Sequence, residues 1–224
     1  MGLVAGAGSR HARQREPTGR RRRRPAVCVA ALAVAVLLTA CDQGESTAGC
    51  DVDVDTGELR EAKAAAGIED CPAGDPSVDT DLPEVSLPCL GGGTAGSLAE
   101  IEGPAVINFW ASNCGPCREE MPALAEFDRQ YGDQVAVIGV DFLETYPEAA
   151  LDLAQRSDVT YPSFADACGV LQEHDLPVTA LPAFVFVAED GSAELAMKGG
   201  VDSVDQIVDL VEANLDIELD RDPA

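Results

Sequence analysis

Between residues 104 and 211, the spacing of apolar positions alternates between the periods of strands and helices. The run Pro104–Ala111 is apolar, β-branched and aromatic, which is typical of a buried strand. In residues 118–131, Met121, Leu124 and Phe127 recur at helical spacing. The same pattern predicts a strand at 135–140, a helix at 147–156, a hairpin of 184–187 with 193–198, and a last helix capped by Ser203. This order predicts an α/β fold with a mixed central sheet flanked by helices on both faces.

The first forty residues differ in composition from the rest of the chain. They hold eight Arg and one Glu, and their basic segment precedes an uncharged run at 26–40. This order is that of a secretory signal, and the run is shorter than the ~20 residues of a spanning helix. Leu38-Thr39-Ala40-Cys41 resembles the lipobox of bacterial lipoproteins, in which the Cys is lipidated and becomes the mature N-terminus. We expect residues 1–40 to be removed and Cys41 to anchor the protein to the extracytoplasmic face of the cell membrane; soluble secretion and an uncleaved anchor are the alternatives.

Charge and composition divide residues 41–224 into a predicted tether, a domain and a tail. The net charge of the chain is −25, but residues 41–224 carry 7 basic and 39 acidic residues, for a net charge of −32. So acidic a chain is not expected to bind nucleic acid. Residues 41–81, rich in Asp, Gly and Ala, are predicted to be a tether with one short helix at 56–67. Residues 82–217 form the predicted domain, and 218–224 an acidic tail.

Six cysteines remain outside the predicted signal and the lipid site. Fifteen pairings of six are possible, and an extracytoplasmic location permits disulfides. Cys50 and Cys71 bracket the short helix, where a staple would compensate for a small core. Cys114 and Cys117 form a CxxC pair, so Cys89 is left for Cys168. A zinc site at the CxxC is not favoured, because residues 41–224 offer only one His for the missing ligands.

The CxxC lies where the first predicted strand turns into a helix. Unpaired N–H groups and the helix dipole at that helix start stabilise a thiolate on Cys114, which we expect to be the nucleophile. Cys117, one turn deeper, is expected to resolve the mixed disulfide. Gly115 and Pro116 form the loop between them, and Pro116 removes an N–H that has no helical partner. An inert bridge is the alternative, but so short a loop adds little stability.

Three segments carry a family resemblance. FWASNCGPC, the following CREEMP and the later LPAFVFVAEDG resemble the thioredoxin fold, and most closely the TlpA/ResA-like membrane-anchored thiol-disulfide oxidoreductases. The resemblance covers residues 82–215 and implies that Pro182 is a cis-proline beside the CxxC that presents backbone to substrate. Leu181 precedes it where relatives often carry Thr, Val or Ile, and a substrate role for Trp110 competes with simple core packing. The resemblance also implies a thioredoxin fold with an N-terminal strand or hairpin extension.

Two positions depart from the thioredoxin pattern. Asn108 stands where thioredoxin has a buried Asp, and an amide cannot accept the proton of Cys117. The resemblance to the TlpA/ResA-like group implies that a Glu after the next strand accepts this proton, which is Glu144 here, with Asp141 as the second candidate. Asn113 replaces the usual Trp before the first Cys, which exposes the nucleophile.

The resemblance implies a protein-disulfide reductase that acts on exported proteins, with apocytochrome c maturation as one role. Gly-Pro between the cysteines is the dipeptide of reducing thioredoxins, whose potentials are about −270 mV. No cofactor is expected, and the electrons would come from a membrane partner that transfers them through thiols, since the sequence has no nucleotide-binding fingerprint. A thiol oxidase, a peroxidase-like redoxin and a non-catalytic binding module displayed on the membrane are the alternatives.

Overall fold

The structure is a computed structural model that describes residues 50–78, 80–196 and 200–221. The predicted signal peptide and Cys41 lie outside the described residues, as does Lys198 at the end of the predicted hairpin. In the ranges that are described, no helix is both long enough and apolar enough to cross a bilayer.

A mixed five-stranded sheet forms the centre of the domain, as the sequence predicts. Its strand order is β5-β4-β3-β6-β7, in which β3, β4 and β5 run parallel and the β3/β6 and β6/β7 pairs are antiparallel. A short antiparallel β1/β2 pair lies outside this sheet and is the expected N-terminal hairpin extension. The edge strand β5 was not predicted. The strand bounds are β1 Ser86–Leu87, β2 Gly96–Ser97, β3 Ala105–Trp110, β4 Ala136–Phe142, β5 Ser163–Asp166, β6 Ala183–Val187 and β7 Ala193–Ala196.

The helices begin and end at residues suited to their caps. Thr56 accepts a hydrogen bond from the Leu59 N–H at the start of α1, and Gly67, at φ 71°, ends that helix. Ser203 accepts from the Gln206 N–H at the start of the last helix, as predicted. The bounds are α1 Gly57–Ala66, α2 Gly115–Tyr131, α3 Pro147–Arg156, α4 Val170–Glu173 and α5 Val204–Leu215, with a 3₁₀ turn at Leu98–Glu100.

Alternate side chains of β3 enter two different hydrophobic cores. Val106 and Trp110 join a core that also contains residues of α1, α2, α3 and α5. Ile107 and Phe109 join a second core with the β1/β2 pair, the 3₁₀ turn and α4. All six residues of β3 are buried, which explains its continuous apolar pattern. Both faces of the sheet are therefore covered, although within residues 50–78, 80–196 and 200–221 only the short α4 supplies an α-helix on the second face.

Residues 50–78 pack into the domain, which corrects the prediction of a separate tether over 41–81. Val54 and Leu59 are buried in the first core, and α1 packs against α3. The stem of Lys63 is also buried, and its Nζ donates to the Gly92 carbonyl at 2.8 Å. The helix is thus stabilised by tertiary contacts, so it does not need a local staple.

The described part of the predicted acidic tail is also packed. Leu219 is buried, and its N–H donates to Glu212 Oε1 at 3.0 Å. Arg221 forms an ion pair with the same Glu212 at 3.1 Å. Residues 218–221 are therefore held against α5.

The disulfide pairing outside the CxxC differs from the predicted one. Cys50 bonds to Cys168 and Cys71 to Cys89, so both predicted bridges, Cys50–Cys71 and Cys89–Cys168, are wrong. Cys89 forms a β-bridge with Phe164 on the edge strand, four residues before Cys168, and the Cys71 N–H donates to the Cys89 sulfur at 3.2 Å. Packing α1 across α3 brings the two ends of the 50–71 segment to different cysteines.

Candidate active site

The CxxC occupies the first turn of α2, immediately after β3. Cys114 is the N-cap of the helix, and its sulfur accepts a hydrogen bond from the Cys117 N–H at 3.2 Å. The two sulfurs are bonded at 2.06 Å. Cys114 is half-buried and Cys117 is completely buried, while Asn113 and Pro116 are exposed. A substrate can therefore reach Cys114 but not Cys117.

A positive side chain lies beside the reactive turn. Arg118 is exposed, and its Nη1 donates to the Ser112 carbonyl at 3.0 Å. Every other Lys or Arg in the described ranges forms an ion pair with a carboxylate, so only Arg118 keeps its charge uncompensated there. Together with the N-terminus of α2, it favours a thiolate on the neighbouring Cys114.

Glu144 holds the reactive turn from the opposite side. Its Oε2 accepts hydrogen bonds from the Ser112 N–H, at 3.1 Å, and from the Ser112 hydroxyl, while its Oε1 accepts from the Tyr146 N–H at 3.0 Å. Glu144 is buried, so these contacts replace its lost hydration. Asp141 is also buried, and burial, assisted by the Glu144 charge, raises the pKa of its carboxyl well above the usual range. The structure places the predicted carboxylate at the turn, where both of its oxygens are engaged with backbone and hydroxyl donors.

A different carboxyl lies beneath the cysteines. Glu120 is fully buried on α2, and its Oε1 accepts a hydrogen bond from the Asn108 side-chain amide at 2.9 Å. Burial raises the pKa of Glu120 to about 8, against the opposing effect of hydrogen bonds from Asn108 and the Val201 backbone. Oε2 has no hydrogen-bond partner among the residues that the structure describes. It points towards Gly200, where an added Cβ would lie 3.5 Å from Oε2 and 3.3 Å from the Pro116 carbonyl oxygen.

Glu120 and Cys117 share one face of α2. Glu120 is three positions after Cys117, a spacing that puts side chains next to each other on a helix, with about 5–6 Å between Cβ atoms. A carboxyl with a pKa of about 8 is close to the ordinary value of a thiol, about 8.5. Sequence reasoning missed Glu120, although the helical period contains the signal: the buried face of α2 includes Cys117, Met121 and Leu124, and Glu120 lies among them.

The predicted proline lies next to the turn. The Leu181–Pro182 peptide bond is cis, which confirms the expectation from the family resemblance. Pro182 is buried and precedes β6, whose Ala183 pairs with Phe109 near the end of β3. Leu181 is partly exposed, so it remains available to a substrate.

Trp110 does not have the exposure that a substrate contact requires. It is fully buried in the first core, and its Nε1 lies close to Gly139, where an added Cβ would approach it to 2.8 Å. The prediction of a substrate-binding role for Trp110 is therefore wrong. Its position directly before the reactive turn makes it a packing residue.

Comparisons with known proteins agree with this geometry. A model of the AhpC/TSA family matches residues 78–194. Thioredoxin-like protein YneN of Bacillus subtilis is 34% identical over 112 residues, which cover 49% of this chain and 64% of YneN. Thiol-disulfide oxidoreductase ResA of Oceanobacillus iheyensis is 27% identical over 108 residues, 46% of this chain and 54% of ResA.

A solved structure shows the same fold. It is that of a secreted Mycobacterium tuberculosis disulfide oxidoreductase homologous to E. coli DsbE, with a TM-score of 0.51 and 24% identity over 58% of this chain and 96% of that one. This likeness confirms the thioredoxin fold. The chain spans less than two thirds of the length of YneN and of ResA.

Proposed function

Because the chain belongs to the AhpC/TSA family and is TlpA/ResA-like with a thioredoxin fold, we propose that it is a thiol-disulfide oxidoreductase whose reactive pair is Cys114 and Cys117. The observation that carries the proposal is the CxxC bridge on the first turn of α2, with one accessible sulfur and one buried sulfur. An inert bridge would have no need of this asymmetry.

The reaction is a reduction of protein disulfides by exchange. The Cys114 thiolate attacks one sulfur of the substrate disulfide, forms a mixed disulfide and releases the other sulfur as a thiolate that takes up a proton. Cys117 then loses its proton and attacks the Cys114 sulfur, which releases the second substrate thiol and leaves the Cys114–Cys117 bridge. Two electrons and two protons pass to the substrate, and the bridged chain corresponds to the oxidised product.

Glu120 is the proposed acceptor of the Cys117 proton. It is next to Cys117 on α2, it is buried with it, and its pKa of about 8 lets the ionised form of its carboxyl take up a thiol proton at little free-energy difference. Glu144 supports the turn instead, because its oxygens are bound to Ser112 and Tyr146. This assignment replaces the Glu144 hypothesis with one that the burial of Cys117 favours.

The proposed location is the extracytoplasmic face of the cell membrane, with Cys41 as the lipid site. The order of basic and apolar segments before Cys41 supports it, and so do the two disulfides outside the CxxC. The proposed clients are disulfide-containing exported proteins, including apocytochrome c, and the proposed electron donor is a membrane protein that transfers electrons through thiols.

Reduction of insulin by dithiothreitol tests the activity. We expect the wild type to accelerate it, Cys114→Ser to abolish the acceleration, and Glu61→Gln, a change at an exposed residue of α1, to retain it. A wild-type rate equal to the uncatalysed rate would contradict the proposed enzyme activity, and the non-catalytic binding module would then be the remaining hypothesis.

Trapping identifies the clients. Cys117→Ala removes the resolving thiol, so mixed disulfides on Cys114 should accumulate, and mass spectrometry of the adducts names the partners. The absence of Cys114 adducts from an extracytoplasmic fraction, with dithiothreitol-dependent activity present in the wild type, would contradict exported proteins as clients.

A further inference from the structure

Two large apolar side chains stand out on the surface. Leu143 is 49% exposed and Tyr146 is 69% exposed, and no other large hydrophobic side chain in the described ranges is exposed. Both lie on the loop between β4 and α3. Single exposed apolar residues are ordinary, but here all of the exposed large ones are in one four-residue segment.

This segment is attached to the reactive turn. Glu144, between the two residues, accepts hydrogen bonds from Ser112, which is two residues before Cys114. The same carboxylate accepts from the Tyr146 N–H. The loop that carries Leu143 and Tyr146 is therefore hydrogen-bonded to the turn that carries Cys114, the cysteine that a client must reach.

Leu143 has an unfavourable backbone conformation as well as an exposed side chain. Its φ is 55°, in the left-handed region that residues with a Cβ rarely adopt. Its N–H donates to the Asp166 carbonyl at 3.0 Å. Its side chain lies over Gly169, where an added Cβ would come within 2.7 Å of Leu143 Cδ2. Strained positions of this kind concentrate at functional sites.

The Tyr146 side chain does not cap helix α3. Tyr146 is the N-cap of α3, but its side chain makes no capping hydrogen bond. Ser, Thr, Asp or Asn would cap the helix better. The stability of α3 therefore does not explain a Tyr at this position.

We infer that Leu143 and Tyr146 form a docking patch for the client polypeptide. The patch takes a large apolar side chain within a few residues of the client's reacting cysteine, in a segment that is also basic. The basic character follows from charge: residues 41–224 carry a net charge of −32 and Glu148 is exposed two residues after Tyr146, and this negative charge outweighs the single positive charge of Arg118 at the reactive turn. This inference rests on the proposed function and specifies its substrate class.

The test compares three peptide disulfides that differ only in the two residues beside the cysteine. These residues are Phe and Lys in the Phe/Lys peptide, Ser and Lys in the Ser/Lys peptide, and Phe and Glu in the Phe/Glu peptide. We expect the wild type to reduce the Phe/Lys peptide with a kcat/KM about tenfold above that of the Ser/Lys peptide, as for loss of one aromatic contact. Leu143→Ser/Tyr146→Ser should remove this difference. The Phe/Glu peptide should react more slowly than Phe/Lys, and salt should reduce that gap.

Matched variants separate docking from chemistry. Thr145→Ala changes an exposed residue of the same loop, and Tyr146→Phe keeps the ring, so both should retain the preference for Phe/Lys. All variants should reduce 5,5′-dithiobis(2-nitrobenzoate) at the wild-type rate, since this small disulfide needs no docking. The inference would be overturned if Leu143→Ser/Tyr146→Ser lowered kcat/KM equally for the Phe/Lys and Ser/Lys peptides. It would also be overturned if the double variant lowered kcat/KM for neither peptide.

A binding measurement keeps the inference separate from the proposed function. Fluorescence polarisation with the Phe/Lys peptide, its cysteines changed to Ser, should show binding that the double variant weakens about tenfold. If the peptide binds but no disulfide exchange is seen, the proposed enzyme activity is refuted and the docking patch is retained. If exchange is seen but the double variant does not weaken binding, the docking patch is refuted. A wild-type dimer that the double variant dissociates would assign the patch to a second copy of this chain and overturn the inference as well.

Discussion

Replacing Glu120 with Gln is expected to remove much of the pH dependence of folding stability. The pKa of this carboxyl is about 8 in the folded protein and 4.5 ordinarily. Between these values the unfolded chain has lost the proton and the folded chain has kept it, so stability falls as pH rises. The fall is about 1.4 kcal/mol per pH unit and levels off above pH 8. From pH 5 to pH 9 it amounts to about 4 kcal/mol.

The Gln side chain cannot ionise and still offers an oxygen to the Asn108 amide. Glu120→Gln should therefore match the wild type closely at pH 5 and be about 4 kcal/mol more stable at pH 9. Urea unfolding of the oxidised proteins at pH 5, 7 and 9 gives the difference by linear extrapolation. Glu148→Gln is the matched control for the loss of one carboxylate, because Glu148 is exposed on α3.

The same variant tests catalysis. If Glu120 accepts the Cys117 proton, Glu120→Gln should slow release of the second substrate thiol while the attack by Cys114 keeps its rate. Rapid-mixing measurements of mixed-disulfide formation and decay separate the two steps. A stability difference that stays constant from pH 5 to pH 9 would refute the raised pKa, and an unchanged decay rate would remove Glu120 from proton transfer.

Three other changes have defined outcomes. Cys50→Ala/Cys168→Ala opens a bridge with a sequence separation of 118 residues, so chain entropy predicts a loss of about 5 kcal/mol in urea unfolding; a loss below about 1 kcal/mol would show that the unfolded chain is already constrained there. Asn108→Ala removes a hydrogen bond that lowers the Glu120 pKa, so the pH at which the stability loss levels off should move above 8, and a downward move would contradict the assignment. Glu144→Gln should cost about 1–3 kcal/mol and speed hydrogen exchange of the amides that it binds, yet leave the pH profile of mixed-disulfide decay in place; loss of that profile would restore Glu144 as the proton acceptor.

The elements that position the site could be predicted because their patterns are local. The apolar run of β3 and the helical spacing in α2 place the CxxC at a strand-to-helix turn, and the structure has it there. The prediction places α3 at the residues where the structure has it, and β4 extends two residues further, to Phe142. Edge strand β5 was missed because its four residues, Ser163–Asp166, are too few to show a period.

The disulfides and the proton acceptor could not be predicted in this way. Pairing depends on which cysteines tertiary packing brings together, and the packing of α1 on α3 is not visible in the spacing of Cys50 and Cys71. Glu120 was missed because a charged residue in an acidic chain is usually solvated. Its burial depends on contacts with Asn108 on β3 and with residues near Gly200, which are distant in sequence.

The Cys50–Cys168 bridge also determines how the domain would carry a mechanical load. Any pull on the chain before residue 50 is passed through a covalent bond to the loop that follows β5. The load therefore does not pass through helix α1, which follows Cys50. A pull cannot detach α1 from α3 one turn at a time. The force acts instead just after the edge strand β5 of the central sheet. A domain drawn by its N-terminus should thus keep its reactive turn intact until the bridge is reduced.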